Sequence, residues 1–242
     1  MYLRYTSSGY VFISPQDNLD MIVDGLLATN YNEEFCLAID FNPVFIASLM
    51  AAGFLVMSIR QEPEGLRDQE DIPEAILLPK LHLVRSVLFF PDLHIKKSLK
   101  TLLPRYELRV NTDFDFIVNR CIAIHGGDWL TKPLVRSIKR IRKNSQPTVK
   151  VQPVSFGVYR DGILRAGEFG VLVGRVYTSY SGYYDEDSAG TVQLVLTAQY
   201  LRDTGYAFLD FGMPLDYKTD LGATNIDPRC FVRLFREARR GF

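Results

Sequence analysis

Cysteine is scarce in this 242-residue chain, and Cys36, Cys121 and Cys230 stand far apart with no metal-ligand spacing. An odd, scattered set argues against a disulfide framework and points to a reducing compartment. Histidine is as sparse: His82, His94 and His125 have no cysteine or acid at zinc-ligand spacing, so no metal site is expected. A Gly-x-x-x-x-Gly-Lys phosphate loop and a Gly-x-Ser-x-Gly nucleophile elbow are also missing, which disfavours P-loop enzymes and serine hydrolases. Met1 to Phe12 lacks a basic segment followed by an apolar run, and no apolar stretch approaches the roughly 18 residues that span a bilayer. There is no repeat or low-complexity tract. The expectation is a soluble cytoplasmic protein with no export signal and no membrane partner.

What is present is a polarised distribution of charge. The formal net charge is zero, yet residues 1–75 hold 3 Lys/Arg against 12 Asp/Glu, a net of −9. Residues 92–143 hold 12 Lys/Arg against 5 Asp/Glu, a net of +7. A local basic surface attracts phosphates whatever the global balance, although such a run is also compatible with a solvated helix face.

Asn42-Pro43 places a capping side chain before a proline at the first helical position, predicting a buried helix over Val44 to Phe54 that ends near Gly53. Arg60 to Glu74, with alternating acids, proline and glycine, reads as a linker and sets a domain boundary near residue 75. Leu83 to Phe89 predicts a strand, and His94 to Leu103 a basic helix stopped by Pro104. Thr112 and Asp115 open a helix through Ile124. Lys132, Arg136, Lys139, Arg140 and Lys143 recur at helical spacing opposite Leu134, Val135, Ile138 and Ile141, an amphipathic helix with a cationic side. Val149 to Tyr159 and Ile163 to Tyr177 predict strands joined at Asp161-Gly162. A helix from Ser188 to about Arg202, a strand over Tyr206 to Phe211 and a helix opening at Asp227-Pro228 complete an α/β or α+β domain.

The residues from Pro79 to Leu88 lead into Asp92-Leu93-His94-Ile95-Lys96-Lys97-Ser98-Leu99-Lys100. Further on come Trp129-Leu130-Thr131, Ala166-Gly167-Glu168-Phe169-Gly170, Asp210-Phe211-Gly212 and Leu221-Gly222-Ala223. In order and spacing this series resembles the leucyl/phenylalanyl-tRNA-protein transferases over roughly two-thirds of the chain. The resemblance implies an α+β protein: a small acidic N-terminal domain, 1–75, and a GNAT-like acyltransferase domain, 76–242, with a mixed sheet and flanking helices. It further implies a monomer that transfers an amino acid from charged tRNA to the N-terminal amine of a protein marked for degradation. No metal or diffusible cofactor is implied, because an aminoacyl ester is already activated and positioning supplies most of the rate. On this reading Arg85, Lys96, Lys97, Lys100, Arg136, Lys139, Arg140 and Lys143 are candidates for gripping tRNA phosphates, and Trp129 for stacking near the terminal adenosine.

The chain departs from the family pattern where the chemistry lies. The Gly-Glu-Ser-Met-Phe-Ser motif is replaced by Ser179-Tyr180-Ser181-Gly182-Tyr183-Tyr184, and the Gln of Asp-x-Gln by Gly212, leaving Asp210 as the candidate catalytic group. Positions that line an apolar aminoacyl pocket in the family fall at Glu168, Tyr177 and Gly182. A buried carboxylate facing leucine would lack a partner, whereas a cationic side chain would supply one, with cation-π attraction from Tyr177, Tyr180 and Tyr183. An arginine or lysine donor is therefore expected. Two other readings stand beside it: a binder of aminoacyl-tRNA that has lost catalysis, and an acyl-CoA-dependent N-acyltransferase. Against the latter, Asp185-Glu186-Asp187-Ser188 would repel a pyrophosphate at that helix start.

Overall fold

The computed structural model describes residues 3–60, 74–144 and 151–240. Along the chain the elements are α1 (Leu19–Ala28), α2 (Pro43–Ala51), β1 (Leu55–Arg60), β2 (Ala75–Lys80), β3 (Arg85–Leu88), α3 (Lys97–Lys100), β4 (Glu107–Val110), α4 (Phe114–His125) and α5 (Lys132–Lys143). There follow β5 (Val151–Arg160), β6 (Ile163–Val173), β7 (Val176–Tyr184), α6 (Ala189–Asp203), β8 (Phe208–Gly212), α7 (Asp216–Asp220), β9 (Thr224–Ile226) and α8 (Pro228–Arg239). They form two compact units, one holding the described residues of Met1–Leu83 and Gly126–Val149, the other those of Val84–His125 and Lys150–Phe242. This division differs from a single boundary near residue 75. The linker assigned there, apart from Arg60 and Glu74, lies outside the described residues.

In the first unit the Asn42 side chain accepts from the Val44 N–H at the start of α2, as the Asn-Pro pair predicts, and Gly53 at φ +101° turns the chain into β1. β1 pairs antiparallel with β2 from Leu55↔Lys80 to Arg60↔Ala75. The cationic helix α5 belongs here because its other face, Leu134, Ile138 and Ile141, is buried, and it packs on α2. Its Ser137 hydroxyl donates to the Phe41 carbonyl at 2.5 Å. Ser58 holds the approach to α5: its N–H donates to the Trp129 carbonyl at 2.9 Å, and its hydroxyl lies 2.8 Å from that of Thr131.

The second unit is a seven-stranded mixed sheet in the order β4-β5-β6-β7-β8-β3-β9, antiparallel except between β7 and β8. Side chains alternate across it. Phe156 and Tyr177 pack toward α6 with Val192, Val195 and Leu209, while Ile117 of α4 presses on Gly157 and Gly167 from the opposite face. β7 and β8 pair only over Val176↔Phe208, Tyr177↔Leu209 and Thr178↔Asp210. Beyond that point β7 continues along β6 and β8 along β3, so the two neighbours part at Ser179 and Phe211.

Two predicted elements differ in extent. The basic helix expected from His94 to Leu103 shrinks to α3, because the His94 N–H donates to the Leu221 carbonyl at 2.9 Å and the chain stays extended until Lys96. The strand expected from Ile163 to Tyr177 is a hairpin that reverses at Gly174, φ +53°. A side chain at Gly174 would also meet the Arg239 backbone at 2.5 Å, so both conformation and packing require glycine.

Candidate active site

Where β7 and β8 separate, the last paired residues carry a closed polar network. The Asp210 carboxylate is fully buried and accepts from Arg85 Nε at 2.8 Å and Nη2 at 2.6 Å, from the Thr178 hydroxyl at 2.8 Å and from the Gly212 N–H at 2.9 Å. Gly212 makes this last bond at φ +70°, a conformation open to glycine but disfavoured for glutamine. Burial acts to raise the Asp210 pKa, but the Arg85 guanidinium outweighs it, aided by the Gly212 and Thr178 donors, and holds the carboxyl below the usual aspartate range. A carboxylate so engaged is a poor proton acceptor. The geometry therefore makes Asp210 an anchor of the sheet, in place of the candidate catalytic role given to it from sequence. Arg85 is corrected with it: its side chain is 1% exposed, bidentate to Asp210 and 4.2 Å from the centre of the Phe231 ring, so no phosphate reaches it.

Glu168 lies on the α6 side of the sheet, opposite Gly182 in register, where a Cβ would crowd its own Cβ at 3.1 Å. It is 2% exposed. The Ser179 hydroxyl donates to Oε2 at 2.9 Å, while Oε1 is buried with no hydrogen-bond partner within bonding geometry among the described residues. Burial drives the Glu168 pKa up, and Gln193, Ser179 and Tyr177, standing near, offset part of that rise. Tyr177 is fully buried in the same region, its hydroxyl also unpartnered among the described residues and its pKa pushed well up, first by burial and then by Glu168.

The tyrosine cage expected around Glu168 is not assembled. Tyr183 packs on the α4 face, its ring against the Gly167 position and 5.4 Å from the Arg120 guanidinium. Tyr180 lies beside Phe169 with ring centres 6.0 Å apart, and Phe169 in turn meets Phe114 of α4. The register shift between Phe169 and Gly170 makes Tyr180 an extra residue in β7, and this bulge leaves both Tyr180 and Tyr183 on the side opposite Glu168. Of the three candidates, only Tyr177 shares its face.

Sequence reasoning missed Lys218, the one buried residue of the short helix α7. Its Nζ donates to the carbonyls of Phe211 and Met213, each at 2.8 Å, on either side of Gly212. Burial lowers its pKa to about 8, Asp210 and Glu168 pull upward, and Arg85 adds to the lowering. No pattern marks it: Asp216, Tyr217, Thr219 and Asp220 around it are exposed, as a polar turn would be.

The cationic candidates fall into two sets. Lys96, Lys97 and Lys100 are exposed on the second unit, and Lys96 is paired with Asp220 at 2.6 Å. Arg136, Arg140 and Lys143 are exposed and Lys139 half-buried on α5 of the first unit, which also holds the half-buried Trp129. At the start of α6 the acids serve internal pairs, Asp185 with Arg120 and Glu186 with Arg160. Among the described residues no group of three or more His, Cys, Asp or Glu side chains is placed to hold a metal ion, and no helix is long and apolar enough to cross a membrane.

Comparison with known proteins covers this part of the chain. The sequence profile of leucyl/phenylalanyl-tRNA protein transferases matches residues 87–236. The leucyl/phenylalanyl-tRNA–protein transferase of Pseudomonas paraeruginosa (strain PA7) is 28% identical over 160 residues, 64% of this chain and 68% of that protein. That of Pseudomonas putida (strain W619) is 29% identical over 154 residues, 61% of this chain and 65% of its own length. Among solved structures, FemX aligns over 90% of this chain and 78% of its own at 11% identity, with a TM-score of 0.45. The profile match takes in both Asp210 and Glu168, and this chain belongs to the leucyl/phenylalanyl-tRNA protein transferase family.

Proposed function

We propose that the protein is an aminoacyl-tRNA–protein transferase that joins an amino acid from charged tRNA to the N-terminal amine of an acceptor protein, and that its preferred donor is cationic, arginine or lysine. The observation that carries the donor assignment is the buried carboxylate of Glu168, whose Oε1 meets no donor in hydrogen-bond geometry among the described residues although Gln193 and Tyr177 stand close enough to offset part of its burial. Burying a carboxylate without full compensation costs several kcal/mol, and a guanidinium or ammonium in the aminoacyl pocket would supply the missing donor. Leucine or phenylalanine would leave the cost in place.

The chemistry asks little covalent work of the protein. An ester meets an amine, so orientation and stabilisation of the developing oxyanion supply most of the rate. The parting of β7 and β8 after Thr178 and Asp210 supports a GNAT-like acyltransferase reading, in which an acyl group is held between the separated strands. Lys96, Lys97 and Lys100 on one unit and Arg136, Lys139, Arg140 and Lys143 on the other are assigned to tRNA phosphates, with Trp129 stacking near the terminal adenosine. The protein acts as a cytoplasmic monomer, and its acceptors are proteins marked for degradation by the added residue.

The test incubates the protein with tRNAs charged separately with arginine, lysine, leucine and phenylalanine, and with peptides of basic or acidic N-terminus, reading products by mass spectrometry. Arginine or lysine addition is expected. Leucine or phenylalanine addition overturns the donor assignment. Binding of charged tRNA without any peptide product overturns the transferase and selects a non-catalytic binder, a reading favoured by the complete engagement of Asp210 with Arg85, Thr178 and Gly212.

A further inference from the structure

Aminoacyl transfer must move a proton from the attacking nitrogen to the departing ribose oxygen, and Asp210, with its oxygens committed to Arg85, Thr178 and Gly212, does not offer a site for it. Lys218 does. It is 5% exposed, and two of its N–H bonds are spent on the Phe211 and Met213 carbonyls at 2.8 Å each. A tetrahedral amine nitrogen so held has one position left, which is an N–H in the ammonium and a lone pair in the free amine. Among the described residues no hydrogen-bond partner occupies that position. The two carbonyls flank Gly212, two residues past the last β8 residue paired with β7, so the amine is anchored beside the point where the two strands part.

We propose that Lys218 is the proton carrier of the transfer reaction, a catalytic residue standing in for the glutamine that Gly212 replaces. This rests on the transferase reading above. As the amine lone pair forms its bond to the ester carbonyl carbon, the nitrogen gives up one proton to the free amine of Lys218. As the bond from that carbon to the ribose 3′-oxygen breaks, Lys218 returns the proton to the oxygen, leaving an amide, a free hydroxyl and an unchanged lysine.

The surroundings suit both halves of the cycle. A carrier works best when it takes and releases a proton near the working pH, and burial brings Lys218 to about 8. The charged groups that act on it are Asp210 of β8 and Glu168 of β6, which favour its ammonium, and Arg85 of β3, which opposes it. A cationic donor on Glu168 cancels one of the two attractions, so loading the pocket frees the lone pair when it is needed.

The experiment measures single-turnover transfer for Lys218→Arg and Lys218→Met. Arginine can keep the charge and donate to both carbonyls but does not deprotonate. Both variants are expected to lose about 100-fold or more in transfer while affinity for charged tRNA stays within twofold. Against misfolding of these variants, Lys218→Cys in a Cys230→Ser background is alkylated to an aminoethyl cysteine, which restores an amine at the same length. Recovered transfer, with the rate rising with pH through a lower pKa than in the parent, is the expected result. Transfer by Lys218→Arg within threefold of the parent overturns the proposal and leaves Lys218 as a backbone staple. So does an alkylated protein that binds charged tRNA yet stays inactive. Absence of transfer by the unaltered protein with every donor is a different outcome, which overturns the transferase reading and this inference together.

Discussion

Arg85 and Asp210, 125 residues apart in sequence, meet as a bidentate ion pair with both side chains out of solvent and join the neighbouring strands β3 and β8. Breaking such a pair by removing one partner leaves an uncompensated buried charge, typically costing about 3–5 kcal/mol. Asp210→Leu should lose stability on that scale in urea denaturation, and Arg85→Met by a similar amount. The double variant should lose less than the two single losses added, because neither charge is then left behind.

The same pair fixes a pH dependence. The folded Asp210 pKa lies below its unfolded value, so its contribution to stability is fully present above the ordinary aspartate range near pH 4 and is lost as pH falls through the lower, folded value. Denaturation midpoints of the parent should therefore fall with acid below about pH 4. Asp210→Leu should show a shallower fall in that range.

Glu168 has the opposite sign. Its folded pKa is raised, so relative to the unfolded chain it favours folding below about pH 4.3, and that advantage is lost as pH rises through the folded value. Glu168→Gln should raise stability at neutral pH by about 1–2 kcal/mol, since it removes a buried charge that lacks full pairing. In the same protein, use of arginyl or lysyl tRNA should fall at least tenfold, and Glu168→Met should shift use toward leucyl tRNA. An unchanged donor profile in both variants would remove Glu168 from specificity.

The cationic sets are separable by salt. Each tRNA phosphate that a variant leaves without its cation should reduce the slope of log affinity against log salt by about 0.7–0.9. Alanine at Lys97 and Lys100 is expected to lower the slope by about 1–2, and alanine at Arg136, Arg140 and Lys143 by about 2–3. A slope that either set leaves unaltered would place that set off the tRNA path.

Gly222 offers a check on the packing around the Leu-Gly turn. It sits at φ +98°, and a Cβ there would come within 2.0 Å of the Asp92 carbonyl oxygen. Backbone must move to admit it, so Gly222→Ala should cost about 2–4 kcal/mol of stability in denaturant titration. A loss below about 1 kcal/mol would mean that the Asp92–His94 segment yields readily.

Local signals are legible wherever the controlling group lies close in sequence. Asn42, the Asp161-Gly162 turn and Asp227-Pro228 each act on atoms within a few residues, and α2, the β5–β6 hairpin and α8 begin or turn where those residues dictate. The short α3 reads as a longer helix in the sequence because its competitor, the Leu221 carbonyl, lies far along the chain. At the site, Glu168 stands out through the resemblance, and the structure buries it. The cage of tyrosines fails because alternation turns Tyr180 away from Tyr177 and the bulge at Tyr180, invisible in the sequence, turns Tyr183 away as well. Arg85 misleads because an arginine beside a basic helix looks like a phosphate contact until Asp210 is seen against it. Lys218 is the exception among local contacts: the carbonyls that hold it, five and seven residues back, are backbone atoms that every residue carries, so no side-chain pattern distinguishes it from a surface lysine.

The described residues of Gly126–Val149 return the chain to the unit in which it began before the larger sheet is finished. During synthesis α2 and β1 therefore emerge well ahead of α5, and Phe41 and Ser58 wait for Ser137 and Thr131 to appear. The first unit cannot close until the chain has reached Lys143, by which time β3, β4 and α4 of the other are already out and lack β5 to β8. Neither unit can be released from the other by a single cut, and a fragment starting near residue 76 would carry Leu134, Ile138 and Ile141 with no α2 to cover them.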